Sequence, residues 1–243
     1  MKGFWAVCKR ELKSYFVTPV AYVMLVIFLF FAGYLTFKER FFENRQADLR
    51  VFFGWLPLLF VFMVPATAMR LWSEERKTGS VELLFTLPIT VTQAVLGKFA
   101  AAWIFIGIAL TLTFPLPLVV AKLGNPDGRV IFISYLGSFL MAGAYLAIGC
   151  FFSALTKNQV ISFILAVVGC AALVSAGQPT TLNYLSTFLP PGLITAIESW
   201  SFQTHFESMQ RGVLEFKNIS YFVLVMAGWM TACGIMLNER KAA

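Results

Sequence analysis

Residues 130–155 read VIFISYLGSFLMAGAYLAIGCFFSAL, a run of 26 residues that contains no Asp, Glu, Lys or Arg. An α-helix rises about 1.5 Å per residue, so about 20 apolar residues cross the roughly 30 Å hydrocarbon core of a bilayer. The whole chain is apolar, since 59% of its 243 residues are hydrophobic and only 13% are charged. A soluble domain of this length has too little interior to bury so much apolar surface. We therefore expect a membrane protein, which excludes a soluble enzyme, a nucleic-acid-binding domain and a disulfide scaffold.

Five further runs of at least 18 residues also lack charged side chains. The six predicted spans are residues 19–37, 51–69, 99–121, 130–155, 160–177 and 219–237. All 31 charged residues, 19 basic and 12 acidic, lie outside these runs. The sequence thus predicts an all-α polytopic membrane protein, with a single transmembrane domain over residues 1–243.

The distribution of basic residues predicts the orientation of the spans. Six spans place both termini on one side, and with cytoplasmic termini 11 of the 19 basic residues lie inside and 8 outside. Cytoplasmic segments are enriched in Lys and Arg, and the residues ahead of the first span have the largest influence. We therefore expect both termini to be cytoplasmic.

The segment before the first span, residues 1–17, has the pattern of an amphipathic interfacial helix. Aromatic residues Phe4 and Trp5 belong to an apolar face with helical spacing. The basic residues of another face include Lys9, Arg10 and Lys13. Such a helix lies in the membrane interface and places its basic face on anionic lipid headgroups. The pattern predicts a membrane-surface helix with lipid as its partner; alternatively, the basic residues only set the orientation of the spans.

The predicted extracytoplasmic segment, residues 178–218, begins with an uncharged stretch that is not expected to cross the membrane. Proline-containing turns at 178–181 and 190–192 divide this stretch into two pieces, each too short to span. We predict short re-entrant or surface-lying helices here, between the fifth and sixth spans. The alternative is an amphipathic loop that rests on the outer leaflet.

The longest polar segment on the predicted inner side, residues 70–93, contains local signals for helix starts and ends. Ser73 is placed to cap a helix whose first turn contains Glu74 and Glu75. Gly79 then interrupts the helix. The segment therefore predicts a helical hook between the second and third spans.

Beyond this glycine, Leu83, Leu84 and Phe85 are expected to form a small apolar knob. With Glu74, Glu75 and Arg76 as a charged rim, this is the composition of a protein contact. Residues 90–93 have the S/T-x-x-E/Q form of a capping box that opens the next helix. These features predict a protein partner, and a solvated connecting loop is the alternative. Arg70, at the start of the segment, and Lys98, shortly after its end, are expected to extend to the lipid headgroups.

The sequence contains no recognisable catalytic, cofactor or metal site. His205 is the only histidine, and we expect a satisfied or surface residue rather than a ligand. The four cysteines are widely spaced and are interpreted as buried apolar residues. A G-x-x-x-x-G-K-[ST] phosphate-binding loop is missing, so we do not expect this chain to hydrolyse ATP by itself.

The chain resembles the permease subunits of type-2 ABC exporters, and in finer detail the gliding-motility type of ABC permease. The resemblance extends from about residue 5 to residue 237, and the stretch from 64 to 90 is its most specific part. The matching stretches are RELKSYFVTPVAY (10–22), VPATAMRLWSEERKTGSVELLFTLPIT (64–90), VLGKF (95–99), LGNP (123–126), NQVISF (158–163) and HFESMQRGV (205–213).

This resemblance implies six spans, a cytoplasmic N-terminal elbow helix and a coupling helix after the second span. It also implies a homodimer or heterodimer of permease subunits, seated on two ABC ATPase subunits that bind ATP and Mg, in the bacterial inner membrane. The coupling helix and the short turn after the fourth span are implied to contact the ATPase. The residues implied in this contact are Arg70, Ser73, Glu74, Glu75, Arg76, Lys77, Gly79, Glu82, Leu83, Leu84, Lys157 and Asn158.

Three functions are consistent with these features. The first is a permease subunit of an ATP-driven exporter, and the second is an ABC-type force transmitter that acts on an extracytoplasmic partner protein without moving solute. The third is an ion-coupled transporter or channel, which normally needs ionisable side chains inside the membrane. The six predicted spans contain none, which favours the first two functions.

Overall fold

A computed structural model describes residues 2–38, 48–80 and 89–239 of the protein. Within these ranges the chain is helical and contains no strand. The helices of the described residues are α1 (Lys2–Val17), α2 (Pro19–Lys38), α3 (Arg50–Ala68), α4 (Arg70–Thr78), α5 (Val91–Thr111), α6 (Pro115–Leu123), α7 (Gly128–Leu155), α8 (Gln159–Ser175), α9 (Pro179–Leu185), α10 (Pro191–Ser199), α11 (Phe202–Gln210) and α12 (Phe216–Glu239).

Among the described residues, five helical segments are long and apolar enough to cross a membrane. These segments are Pro19–Lys38, Arg50–Thr78, Val91–Leu123, Gly128–Leu155 and Phe216–Glu239. Each contains one of the predicted spans, so the all-helical membrane architecture is confirmed. The remaining prediction, residues 160–177, extends two residues beyond α8, which has 17 residues and ends at Ser175. This helix reaches the length of a span only together with α9, from which it is bent by 82°.

The central helix of the bundle is α7, which packs against α3, α5, α8, α11 and α12. Two glycines allow this close packing. A Cβ atom on Gly149 would lie 2.5 Å from the Cβ of Ala68 in α3, and one on Gly143 would lie 2.6 Å from the Sδ of Met226 in α12. Small residues at such crossings let helix backbones approach closely inside a membrane. In contrast, α2 lies at the edge of the bundle and exposes most of its apolar side chains.

Contacts between helices that are distant in sequence define two ends of the bundle. The first, here called the α4 end, contains α1, α4, the start of α5 and the end of α7. The other, here called the α9 end, contains α9, α10, α11 and the start of α12. The residues predicted to contact an ATPase all belong to the α4 end or to the segment next to it.

Candidate functional site

A buried lysine lies at the centre of the α4 end. Lys98, in the second turn of α5, is only 2% exposed. Its Nζ donates a hydrogen bond to the carbonyl oxygen of Leu71 at 2.6 Å. It also lies 2.8 Å from Oε1 of Glu75 and 3.5 Å from Oε1 of Glu11. The ammonium group stands 4.7 Å from the centre of the Trp72 ring.

This arrangement corrects the expectation that Lys98 extends to the headgroups. Removing a charge from water costs several kcal/mol, so a buried ammonium is stable only where acceptors and counter-charges surround it. Glu11 from α1 and Glu75 from α4 provide the counter-charges. The lysine therefore ties three helices together instead of anchoring one helix to lipid.

Arg10 completes a group of four charges at this site. Its Nη2 lies 2.9 Å from Oε1 of Glu11 and 3.4 Å from Oε1 of Glu75, and its side chain is 54% exposed. Arg10, Glu11, Glu75 and Lys98, here called the ionic cluster, thus contain two positive and two negative charges. The cluster extends from a buried ammonium to a guanidinium at the surface, with no net charge.

Ser153, near the end of α7, forms hydrogen bonds with the backbone where α3 meets α4. Its Oγ accepts hydrogen bonds from the backbone N–H groups of Trp72, at 3.0 Å, and Ser73, at 3.1 Å. The same hydroxyl donates to the carbonyl oxygen of Met69 at 2.9 Å. Met69 precedes α4 and gives it no side-chain cap. Ser153 therefore caps α4 from a different helix.

The prediction that Ser73 caps a helix is wrong. Helix α4 begins at Arg70, so Ser73 lies inside it, and its hydroxyl donates to the carbonyl oxygen of Met69 in the preceding turn. The local capping signal fails because the chain is already helical when it leaves α3. The second signal is confirmed, because Thr90 and Gln93 form a reciprocal capping box at the start of α5.

Helix α1 is attached to the same end of the bundle through Tyr15. Its hydroxyl donates to the carbonyl oxygen of Thr67 at 3.1 Å, and its ring stacks on Phe105 at 4.9 Å. Arg70 donates to the hydroxyl of Thr18 at 3.3 Å, and its guanidinium lies 5.4 Å from the Tyr15 ring centre. Burial raises the pKa of Tyr15 above its ordinary value, so the phenol stays protonated as a donor.

Most of the α1 residues that were predicted to lie at the membrane surface are on the face of the helix that points away from the bundle. Trp5, Lys9, Arg10 and Lys13 are exposed, and Phe4 is half-buried. The opposite side of α1 packs on α5. The helix thus has one face fixed to the bundle and another that carries basic and aromatic side chains.

The nine described residues among those implied in ATPase contact divide into two groups. Arg76 donates to the carbonyl oxygen of Ala154, so it contacts the end of α7. Arg70, Ser73 and Glu75 also bond within the chain, as described above. The members with exposed side chains or backbone are Glu74, Lys77, Gly79, Lys157 and Asn158. The other three implied residues, Glu82, Leu83 and Leu84, lie outside the described residues.

The exposed group borders two structural breaks. Gly79 has a φ of +72° and ends α4 in the left-handed conformation that favours glycine. Asn158 caps α8, because its Oδ1 accepts from the N–H of Val160 at 2.9 Å. The contact between Arg76 and Ala154 brings the end of α7, just before the Lys157 turn, against α4. The two segments therefore form one neighbouring surface at the α4 end.

A family model, described as ABC-2 family transporter protein, matches residues 12–236. The chain belongs to the ABC-2 transporter family. It is therefore a multi-pass membrane permease of an ABC transporter, the membrane component rather than the ATPase, and membership of this family implies association with an ABC ATPase subunit. Comparison with curated proteins gives no match.

In this ABC-2 permease, sequence reasoning missed three of the residues that organise the α4 end. Glu11, Lys98 and Ser153 were not assigned to the site. Lys98 gave one signal, since it is the only charged residue between Val91 and Ala121. No comparable local signal identifies Ser153, whose role depends on where α4 meets α7.

The histidine of the permease lies at the α9 end and is satisfied, as predicted. His205 is 4% exposed, with Nδ1 at 2.8 Å from Oδ1 of Asn218 and Nε2 at 3.0 Å from the carbonyl oxygen of Ser199. Its ring stacks on that of Tyr221 at 4.0 Å. Across the described part of the chain, no group of three or more His, Cys, Asp or Glu side chains could hold a metal ion.

Proposed function

We propose that this protein is the permease subunit of an ATP-driven exporter in the bacterial inner membrane, of the gliding-motility type. Both termini would be cytoplasmic, so that the α4 end faces the ATPase. One observation carries the proposal: α4 continues a candidate span, is fixed to α5 and α7 by buried polar contacts, and still presents an exposed charged surface. A solvated connecting loop would need none of these buried polar contacts.

The docking surface in this proposal is the exposed part of the α4 end. Glu74 and Lys77 present opposite charges on α4, and Lys157 and Asn158 lie on the neighbouring turn. Charged rims of this kind favour encounter and set the register of a protein contact. The segment that follows Gly79 contributes the apolar side chains expected at the centre of the contact.

The complete transporter would contain two such permease subunits, identical or different, and two ATPase subunits that bind ATP and Mg. Closure of the ATPase pair would displace α4, and α3 would move with it because the two helices form one continuous segment. The bundle would then shift between two packings, each favoured by one nucleotide state of the ATPase. The basic face of α1 would rest on anionic headgroups beside this surface.

The first experiment is affinity purification of the tagged chain from its native host in mild detergent, followed by mass spectrometry. A stoichiometric partner with a Walker motif is the expected result. Isolation of the chain alone, or only with partners that bind no nucleotide, would contradict the proposal.

The docking surface is tested by reversing both exposed charges of α4, with Glu74→Lys and Lys77→Glu. These changes are expected to release the ATPase while the permease remains inserted. Lys122→Glu, an exposed charge reversal at the end of α6, is the matched control and should leave co-purification unchanged. Retention of the ATPase by the α4 variant would contradict this docking surface.

A second candidate function is force transmission to an extracytoplasmic partner protein without transport of solute. It is favoured by the exposed apolar side chains of the α9 end. Neither α9 nor α10 contains a buried residue, and Tyr184, Phe188 and Trp200 are all more than 60% exposed. In reconstituted vesicles, an ATPase activity altered by an extracytoplasmic protein but by no enclosed cargo would support this candidate.

A further inference from the structure

We propose that Lys98 is a positioning residue that carries the displacement of α4 into α5 and α1. The inference rests on the proposed function, because it assumes that an ATPase moves α4. It adds the route by which that movement reaches the third span and the N-terminal helix. Lys98 touches neither nucleotide nor cargo in this role, and acts only through Glu75 and Glu11.

The geometry of the ammonium group is the first argument. A lysine has three N–H donors, and three acceptor atoms surround this one: the Leu71 carbonyl and one oxygen each of Glu75 and Glu11. Two acceptors belong to α4 and the third to α1. Lys98 is only 2% exposed, so groups of α1 and α4 rather than solvent fix the position of its ammonium group.

The second argument is that α4 has two separate attachments. Ser153 and the Arg76 contact join it to α7, whereas Lys98 joins it to α5. The two attachments share only Trp72, whose backbone N–H bonds to Ser153 and whose ring faces Lys98, so no hydrogen bond of the α7 attachment involves Lys98. Loss of Lys98 should therefore leave α4 seated on α7 while it weakens the connection from α4 to α5.

The third argument concerns what happens when the lysine is replaced. In Lys98→Met, Glu11 and Glu75 lose their buried partner, but Arg10 still lies 2.9 Å from the first and 3.4 Å from the second. The two carboxylates therefore retain a counter-charge at the surface. For this reason we expect the variant to fold and insert, with the direct contacts of residue 98 to α4 and α1 lost.

The experiment follows movement at the far ends of α5 and α7 in the permease bound to its ATPase. An environment-sensitive fluorophore is attached at Leu112→Cys, just after α5, or at Phe132→Cys, in the first turns of α7. Both positions are exposed, and the four native cysteines are buried, so labelling is selective. Leu112 lies 14 residues from Lys98, about 21 Å along a helix. The change in fluorescence is measured on addition of a slowly hydrolysed ATP analogue.

In the wild-type complex we expect the analogue to change the signal at both labels. With Lys98→Met, the change at Leu112 should be lost, the change at Phe132 should persist, and the ATPase should still co-purify. Lys122→Met is the matched control, because it removes an exposed lysine outside the ionic cluster. Glu75→Gln preserves side-chain shape and an acceptor for Lys98, so a partial loss at Leu112 is expected.

Selective loss is the result that a merely structural lysine would not give. Persistence of both signal changes in Lys98→Met would overturn the inference, and so would loss of both with the ATPase still bound. If the wild-type chain binds no ATPase, the proposed function fails, and the inference that rests on it fails with it. The two failures are distinguished by whether the ATPase is present in the wild-type preparation.

Discussion

The α4 end and the α9 end of the permease differ in how their helices are held. At the α4 end, a nine-residue helix buries Leu71, Trp72 and Ser73 and is joined to α5 and α7 by polar contacts. At the α9 end, α9 and α10 contain no buried residue, whereas the neighbouring α11 is anchored through Phe202, His205, Phe206 and Met209. Short helices gain most of their stability from packing. The helix α4 at the first end is therefore firmly joined to the bundle, and α9 and α10 at the second leave an apolar surface exposed.

The largest expected effect tests whether the two ends lie on opposite sides of the membrane. A membrane-impermeant maleimide applied to intact cells should label Ser186→Cys at the α9 end and should not label Glu74→Cys. Permeabilised cells should show labelling at both positions, because both side chains are exposed.

The native chain is the control for this experiment. All four of its cysteines are buried, and burial also raises the pKa of the Cys8 thiol in α1, which lowers its thiolate fraction. Labelling of Glu74→Cys in intact cells would contradict the proposed cytoplasmic position of the α4 end.

A second test compares two glycines, one in the packed bundle and one at the α9 end. Gly149→Val should lower the free energy of unfolding by about 1–3 kcal/mol or more, because the new Cβ overlaps Ala68. Gly192, in α10, has open space where a Cβ would stand, so Gly192→Val should change stability by less than about 0.5 kcal/mol. Thermal unfolding of the detergent-solubilised protein measures both. Equal effects would show that the α9 end is packed more tightly than described.

The smallest expected difference concerns two serines. Ser153→Ala leaves two backbone N–H groups of α4 without their acceptor and should cost about 1–2 kcal/mol. Ser186→Ala removes an exposed hydroxyl that bonds only within its own turn, and it should have an effect of less than about 0.5 kcal/mol. The same thermal assay gives both values, and a Ser153→Ala variant as stable as Ser186→Ala would rule out the cap from α7.

The sequence predicted those parts of the structure that depend on local pattern. Uncharged runs located five helices long enough to cross a membrane, and the Thr90–Gln93 signal located the start of α5, because both depend only on neighbouring residues. Ser73 was misplaced, since a cap signal has no effect where a helix already runs through it from α3. The pairing of Lys98 with Glu75 and Glu11 was missed, because it requires three segments, distant in sequence, to meet in space.

The continuous segment Arg50–Thr78 determines how far the permease reaches beyond the lipid. Its 29 residues extend about 43 Å at 1.5 Å per residue. The hydrocarbon core is only about 30 Å thick, and each headgroup layer adds roughly 5–8 Å. A segment that starts at one hydrocarbon boundary thus ends beyond the headgroups on the other side. The end of α4 is therefore accessible to a soluble protein outside the lipid bilayer.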